Sequence, residues 1–531
     1  MKSGRWSSAR ALCQLLLWFA FIVIIVASRD TTDNTFFSYI PRISPLLGLS
    51  VSLTSRALEF IFWPALIFLC AAFVLGRYFC GWICPMGSTI DATDRPVTRI
   101  RKKTPAISGS TKTRHKNFKY ALLLILIILS ASGIQITGVF DPLSLSIRTY
   151  GTVIFAYLDS ILKLIFNALY YVPVVNILTE FIYSFLKNYL LEVNDIQFYN
   201  HIPVFLFFAG ILFLSVLGRR FWCKSLCPLG AIYALTGKIS LLKRHVNIEK
   251  CTNCLACENT CRVDAIYGNG TATYEGECFK CFECLKKCKF EAIEFKFAFP
   301  FHKKAETRSG NDTGIGQREN IKFTRKNLLW SVAASAAAVP VFKRKPGFAK
   351  DHSRLIRPPG ALEEQDFINK CIRCGQCMKV CPTNALHPQL FEYGYDGIFT
   401  PRLIPRLGWC EKNCNQCSAV CPSGALKTVE IKKKETTVIG TAYILKDYCI
   451  PWSEYTDCLV CEEMCPTKKK AIIFKEQVLE NKKGKRVRVK LPYVLEDVCI
   501  GCGICENKCP VRGEAAIQVH RPRNVSGFQY G

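Results

Sequence analysis

Acidic residues are scarce in this chain. Its 531 residues carry 41 Asp and Glu against 70 Lys and Arg, a formal net charge of +29. No catalytic acid, base or nucleophile constellation stands out, so nothing points to bond-making chemistry of its own. The cysteine runs also lack the plan of two separated C-x2-C pairs that marks most four-cysteine zinc sites, which argues against structural zinc. The acid deficit would suggest a nucleic-acid partner. Much of the basic excess lies beside apolar runs, however, where Lys and Arg mark the cytoplasmic side of a membrane, and no nucleic acid is expected.

Cysteine is what the chain has in plenty. Its 30 cysteines fall into clustered quartets rather than the scattered pattern of a disulfide framework. Cys371 to Pro382, CIRCGQCMKVCP, sets the plan: Cys371, Cys374, Cys377 and Cys381 follow the C-x2-C-x2-C-x3-C-P spacing of bacterial cubane iron–sulfur sites. In such modules three thiolates converge on one cluster and the fourth ligates its neighbour. Cys251, Cys254, Cys257 and Cys261 repeat the spacing, as do Cys278, Cys281, Cys284 and Cys288, with Arg262 and Lys289 in place of the proline. Cys410, Cys414, Cys417 and Cys421 carry one extra residue in the first gap. Cys449, Cys458, Cys461 and Cys465 have an eight-residue first gap, which forces a loop, and Cys499, Cys502, Cys505 and Cys509 are regular again. Six [4Fe-4S] clusters are expected. At a net charge of about −2 each, they would remove about 12 units of the positive excess. The spacing leaves open whether the last four motifs pair sequentially or in nested fashion. Cys13 and Cys70 lie within apolar runs and read as small buried hydrophobes.

The first half has the character of a membrane domain. Ala11–Ala27, Ala57–Leu75, Tyr120–Val139 and Ile202–Leu217 are apolar runs suited to spanning, with Pro64 inside the second and no convincing cleavage site after the first. Residues 76–119 hold ten Lys or Arg against two acids, whereas residues 140–201 hold three against five. With Arg219, Arg220, Lys224, Lys238, Lys243 and Arg244 following the fourth run, the positive-inside rule puts the two basic regions in the cytoplasm and residues 140–201 outside. Thr152–Val193 is expected to form helices in the outer interface, two further spans being the alternative.

A repeat runs through this half. Gly76-Arg77-Tyr78-Phe79 leads into Cys80-x3-Cys84-Pro-Met-Gly, and Gly218-Arg219-Arg220-Phe221-Trp222 leads into Cys223-x3-Cys227-Pro-Leu-Gly. Two copies related by an axis along the membrane normal would bring Cys80, Cys84, Cys223 and Cys227 together on the cytoplasmic face, as a further cluster, redox thiols or a metal site. The plain alternative is a Cys-Pro-Gly turn that ends a helix.

The expected plan is multi-domain: an α-helical membrane domain with four or more transmembrane helices (1–245), carrying small α+β bacterial-type di-cluster ferredoxin modules. A two-cluster module (246–295) is followed by a polar linker (296–320), a twin-arginine-like signal or transmembrane segment around Arg325-Lys326 (321–345), and a four-cluster domain (346–531). Ala265-Ile266 and Ala292-Ile293 read as short strands closing the first module.

On these motifs residues of about 10–295 resemble the NapH-type membrane quinol-dehydrogenase subunits of periplasmic nitrate reductase systems, including the Phe140-Asp141-Pro142-Leu143 run. Residues of about 321–520 resemble the exported NapG or MauM-type four-cluster ferredoxins, on Arg325-Lys326, Thr400-Pro401-Arg402 and the four quartets. The resemblance implies a fusion of the two in the inner membrane. It would be multi-pass, with residues 246–295 cytoplasmic and 346–531 periplasmic, carrying electrons from menaquinol or another quinol to a periplasmic redox protein or reductase. Asp141 and His201 are candidate proton acceptors for quinol oxidation. A rival reading is a maturation or regulatory factor that uses the same clusters to reduce a metal centre or disulfide in another protein.

Overall fold

A computed structural model describes residues 5–28, 35–101, 116–170, 183–184, 198–298, 324–344, 352–480, 484 and 486–521. Most of the linker at 296–320, much of the 152–193 segment and the end of the chain lie outside these residues. The chain divides into two compact units that do not follow chain order. One contains 1–24, 39–147 and 205–341, and the other 25–38, 148–204 and 342–531.

Among the described residues two helices are long and apolar enough to cross a membrane, Trp6–Ala27 with a mean hydropathy of 2.3 and Pro142–Tyr170 with 1.6. Pro45–Ser55, Phe60–Leu75, Phe118–Ala131 and His201–Val216 are apolar but shorter. The expected second, third and fourth runs thus form helices of fewer than 18 residues. Helix Trp63–Leu75 begins just ahead of Pro64, so this proline sits in the first turn, where a missing N–H costs nothing. The third run breaks after Ala131 at Gly133, whose φ of +80° no continuing helix can use. Where interfacial helices were expected from Thr152, a helix already runs from Pro142 to Tyr170. Cys70 is exposed and Cys13 half-buried, so the expectation of two buried cysteines does not hold.

Asp141 is wholly buried and accepts hydrogen bonds from Ser44 Oγ (2.8 Å) and the amides of Leu143 and Ser144 (3.1 Å each). These bonds cap the helix Pro142–Thr149, a structural role that occupies the carboxylate. His201 Nδ1 lies 2.5 Å from the carbonyl of Phe198.

In the first unit, strand Leu242–Val246 pairs antiparallel with Ile293–Phe297, and Ile266–Tyr267 pairs with Ala272–Thr273. The expected strands after Cys261 and Cys288 therefore exist, each with its own partner. Short helices Ala256–Thr260 and Glu283–Lys287 follow the second cysteine of each motif.

The second unit uses the same plan twice. Thr441–Ile444, ahead of the third motif, pairs with Ile517–His520 after the fourth. In the other copy, bridges Ile356–Leu403 and Ala361–Leu426 take the closing role. A hairpin of nine-residue strands, Ile472–Glu480 and Arg486–Val494, follows the third motif. The loop made by the long Cys449–Cys458 gap packs on it, with the Trp452 indole N–H donating to the Pro492 carbonyl at 3.4 Å and its ring edge-on to Tyr493.

Candidate metal centres

Close C-x2-C-x2-C spacing requires the backbone to curl tightly around a point. In the four regular motifs the residues on both sides of the second cysteine are left-handed: Asn253 and Leu255, Lys280 and Phe282, Arg373 and Gly375, Gly501 and Gly503. Alternating hands turn successive amides inward and make a concavity suited to an anionic group. The two irregular motifs lack this pair, with Asn415 and Leu459 at negative φ. Only Gly501 and Gly503 reach this conformation without a side-chain penalty at both positions.

Four small cavities are each walled by four cysteines. One has Cys251, Cys254 and Cys257 with Cys288, and another Cys371, Cys374 and Cys377 with Cys421. The third has Cys449, Cys458 and Cys461 with Cys509, and the fourth Cys499, Cys502 and Cys505 with Cys465. In each, three sulfurs come from one motif and the last from its partner. The charge of Cys381 is felt at Cys410, Cys414 and Cys417, and that of Cys261 at Cys284. The partners are consecutive motifs, so the pairing that spacing left open is sequential. Four thiols around one small cavity fit a cubane cluster.

Several of the cradle thiols are buried. Burial pushes the thiols of Cys461 and Cys502 up to about 12 and that of Cys410 up to about 11, so metal binding has to displace protons. Backbone N–H groups reach the crossing sulfurs: Ala265 to Cys261 (3.2 Å), Ala385 to Cys381 and Leu426 to Cys421 (3.3 Å each). Such bonds favour thiolate and help set cluster potentials.

Cys80, Cys84, Cys223 and Cys227 are all buried, and the charges of Cys80 and Cys223 raise the other two thiols beyond the effect of burial. Helix Pro228–Gly237 starts just past Cys227, whose sulfur accepts the Gly230 amide at 3.3 Å. Among the described residues no three His, Cys, Asp or Glu side chains close on a single ion.

Two arginines missed by sequence reasoning frame these thiols. Arg77 crosses to the Cys223 carbonyl (2.5 Å), and Arg220 crosses to the Cys80 carbonyl (2.8 Å). Each stands three residues before the first cysteine of its own repeat and was visible only as part of that repeat. Gly230 and Gly87 leave room for them; a Cβ on Gly230 would lie 2.4 Å from Arg77 Nη2. The counter-charges are Glu277 for Arg77 (2.7 Å) and Asp91 for Arg220 (2.7 and 2.6 Å). Burial raises the Asp91 carboxyl, but Arg220 and Arg262 outweigh it and hold the group well below the usual carboxylate range. Phe279, between Cys278 and Cys281, lies under both guanidiniums, with its ring centre 4.6 Å from Arg77 and 5.1 Å from Arg220. The motif of Cys278 thus sits directly against the four-thiol site.

One 4Fe-4S binding domain family matches residues 57–104 and 200–249, which contain the two Cys-x3-Cys-Pro motifs. A second 4Fe-4S binding domain family matches 244–267, 368–387 and 492–512. The methylamine utilization ferredoxin-type protein MauM of Methylorubrum extorquens is 35% identical over 173 residues, 32% of this chain and 74% of the relative. The ferredoxin-type protein NapG of Escherichia coli is 37% identical over 200 residues, 37% of this chain and 84% of the relative. An uncharacterized protein, MJ0749 of Methanocaldococcus jannaschii, is 24% identical over 237 residues, 44% of this chain and 70% of the relative. No solved structure matches. The chain is an iron–sulfur, ferredoxin-type electron-transfer protein and belongs to the MauM/NapG family.

Proposed function

We propose that this protein is a NapH-like membrane unit fused to a NapG/MauM-type ferredoxin, carrying electrons from a quinol such as menaquinol to a redox protein or reductase in the periplasm. In this reading the 24 cysteines of the six motifs hold six [4Fe-4S] clusters, and Cys80, Cys84, Cys223 and Cys227 hold a seventh. Clusters bound there supply one-electron transfer, while the chain sets their spacing, dryness and hydrogen bonding.

The observation that carries the reading is which loop packs on which module. Inside the first unit, the basic segments around Arg77, Lys119 and Arg220 pack on the two-motif module through Glu277, Phe279 and Lys280. Inside the second unit, the 148–204 segment packs on the four-motif region: Arg148 donates to the Arg373 carbonyl at 2.7 Å, and Tyr199 N–H to His387 Nδ1 at 3.1 Å. The positive-inside rule assigns the first group to the cytoplasm and the second to the outside. The modules inherit those sides, and a cluster domain on the outer side requires export, consistent with the Arg325–Lys343 helix as a twin-arginine-like signal. Membrane insertion is supported by helix Trp6–Ala27, on which Leu12, Leu15, Leu16 and Phe19 are all exposed.

Menaquinol mixed anaerobically with the protein in liposomes should reduce the clusters, followed by absorbance and EPR. An iron-loaded protein that stays oxidised removes quinol as donor. Protease added to right-side-out vesicles should cut within 346–531 and spare 246–295; the reverse pattern overturns the two-sided arrangement.

A further inference from the structure

The chain order of the four C-terminal motifs is not their spatial order. The segment from Pro405 to Cys410 joins the two modules of this region at the fourth motif, and Arg354 on Glu506 (3.4 Å) and the Arg521 amide on the Ser353 carbonyl (2.6 Å) also join them. Cys410 N–H donates to the Cys502 carbonyl at 2.8 Å, so the first ligand of the second motif is bonded to the peptide of a fourth-motif ligand. Arg406 donates to the carbonyls of Glu506 (3.1 Å) and Cys509 (3.0 Å), and Asn507 Nδ2 returns a bond to the Arg406 carbonyl at 3.1 Å. A Cβ on Gly503 would lie 2.8 Å from the Cβ of the Pro405 ring, and the φ of +84° there also favours glycine.

At the far end of the first module, the cradle of Cys371, Cys374, Cys377 and Cys421 meets the 148–204 segment. Arg148 bonds the Arg373 carbonyl and lies 3.4 Å from the Cβ position of Gly375. At the opposite end, the cradle of Cys449, Cys458, Cys461 and Cys509 is walled by Pro451 and Pro492, beside the long hairpin.

We propose that electrons cross this region in the motif order first, second, fourth, third, with the Cys410–Cys502 hydrogen bond as the joint between modules and the Cys449 cradle as the outlet. This rests on the reading of these cysteines as cluster ligands. An electron received at the Cys371 cradle is balanced by one delivered to the external acceptor from the Cys449 cradle, with no bond made or broken.

The test uses the full-length protein, purified anaerobically and reduced with dithionite, so that no quinol is needed. Cys502→Ser should remove one cluster, abolish the spin–spin broadening on the EPR signal of the third-motif cradle and relieve part of that on the second-motif cradle, which keeps its first-motif neighbour. Cys458→Ser should leave the second-motif signal as broadened as in the wild type. Cys505→Ser empties the same cradle as Cys502→Ser and must reproduce its spectrum, which excludes a folding defect peculiar to position 502. If Cys458→Ser instead relieves the second-motif signal and Cys502→Ser does not, the route follows chain order and the proposal is wrong. A wild-type preparation without iron–sulfur signals would overturn the cluster reading itself.

Discussion

Arg77 and Arg220 occupy each other's repeat: each is buried, and each hydrogen-bonds the carbonyl of the first cysteine in the opposite Cys-x3-Cys motif. The exchange is what a twofold duplicated unit produces when its two halves clasp. It places two fixed positive charges beside four thiols, balanced by Asp91 from the helix after Cys84 and by Glu277 from the two-motif module.

Glu277 is one of those carboxylates. It accepts from Arg77 and Lys119, both wholly buried, and from Tyr120 Oη at 3.1 Å. Burial raises its carboxyl, but Lys119 and Arg77 outweigh it and hold the group below its ordinary value. Glu277→Gln leaves two buried cations without a counter-charge, an effect of about 3–5 kcal/mol. Limited trypsin digestion of the detergent-solubilised protein should then open the 246–295 module at lower denaturant than in the wild type. Equal resistance would mean that the pair contributes nothing.

Gly87 and Gly230 hold equivalent places in the repeat but are not equally tight. A Cβ at Gly230 meets the Arg77 guanidinium at 2.4 Å, while at Gly87 the nearest guanidinium atom is 3.5 Å away. Gly230→Ala should cost about 1–3 kcal/mol by displacing Arg77, and Gly87→Ala less. Thermal unfolding of the two variants side by side checks the ranking.

Crossed ligation predicts which lesions look alike. Cys421→Ser should lose the same EPR signal as Cys374→Ser, and Cys381→Ser the same signal as Cys414→Ser. Had each motif held its own cluster, Cys421→Ser would match Cys414→Ser instead.

His387 gives a pH dependence. Burial, then the charge of Arg402, drives its imidazole down to about 3, and Nδ1 already accepts the Tyr199 amide. The folded protein keeps this ring neutral while the unfolded chain protonates it near pH 6.5. Its contribution is therefore intact above about pH 6.5 and declines as pH falls toward 3, with about 2 kcal/mol lost by pH 5. Denaturation at pH 7 and pH 5 should show this slope in the wild type and a shallower one in His387→Gln. An identical slope would assign the dependence to other groups.

The cysteine spacings alone identified the chain as carrying 4Fe-4S motifs, because a thiolate run has to match the cluster's own dimensions. The repeat of Gly-Arg and Cys-x3-Cys-Pro pointed to four thiols at equivalent positions, and all four are buried. Helix ends were less legible. Gly133 stops a run that hydropathy would have continued, and Pro64, inside the apolar run, stands in the first turn of its helix. Which motif completes which cradle, the crossing of Arg77 and Arg220, and the meeting of Cys410 with Cys502 belong to tertiary structure alone. Spacing constrains only neighbours along the chain. Each of these contacts joins residues of different motifs or repeats, more than 30 positions apart, and packing of the folded backbone determined them.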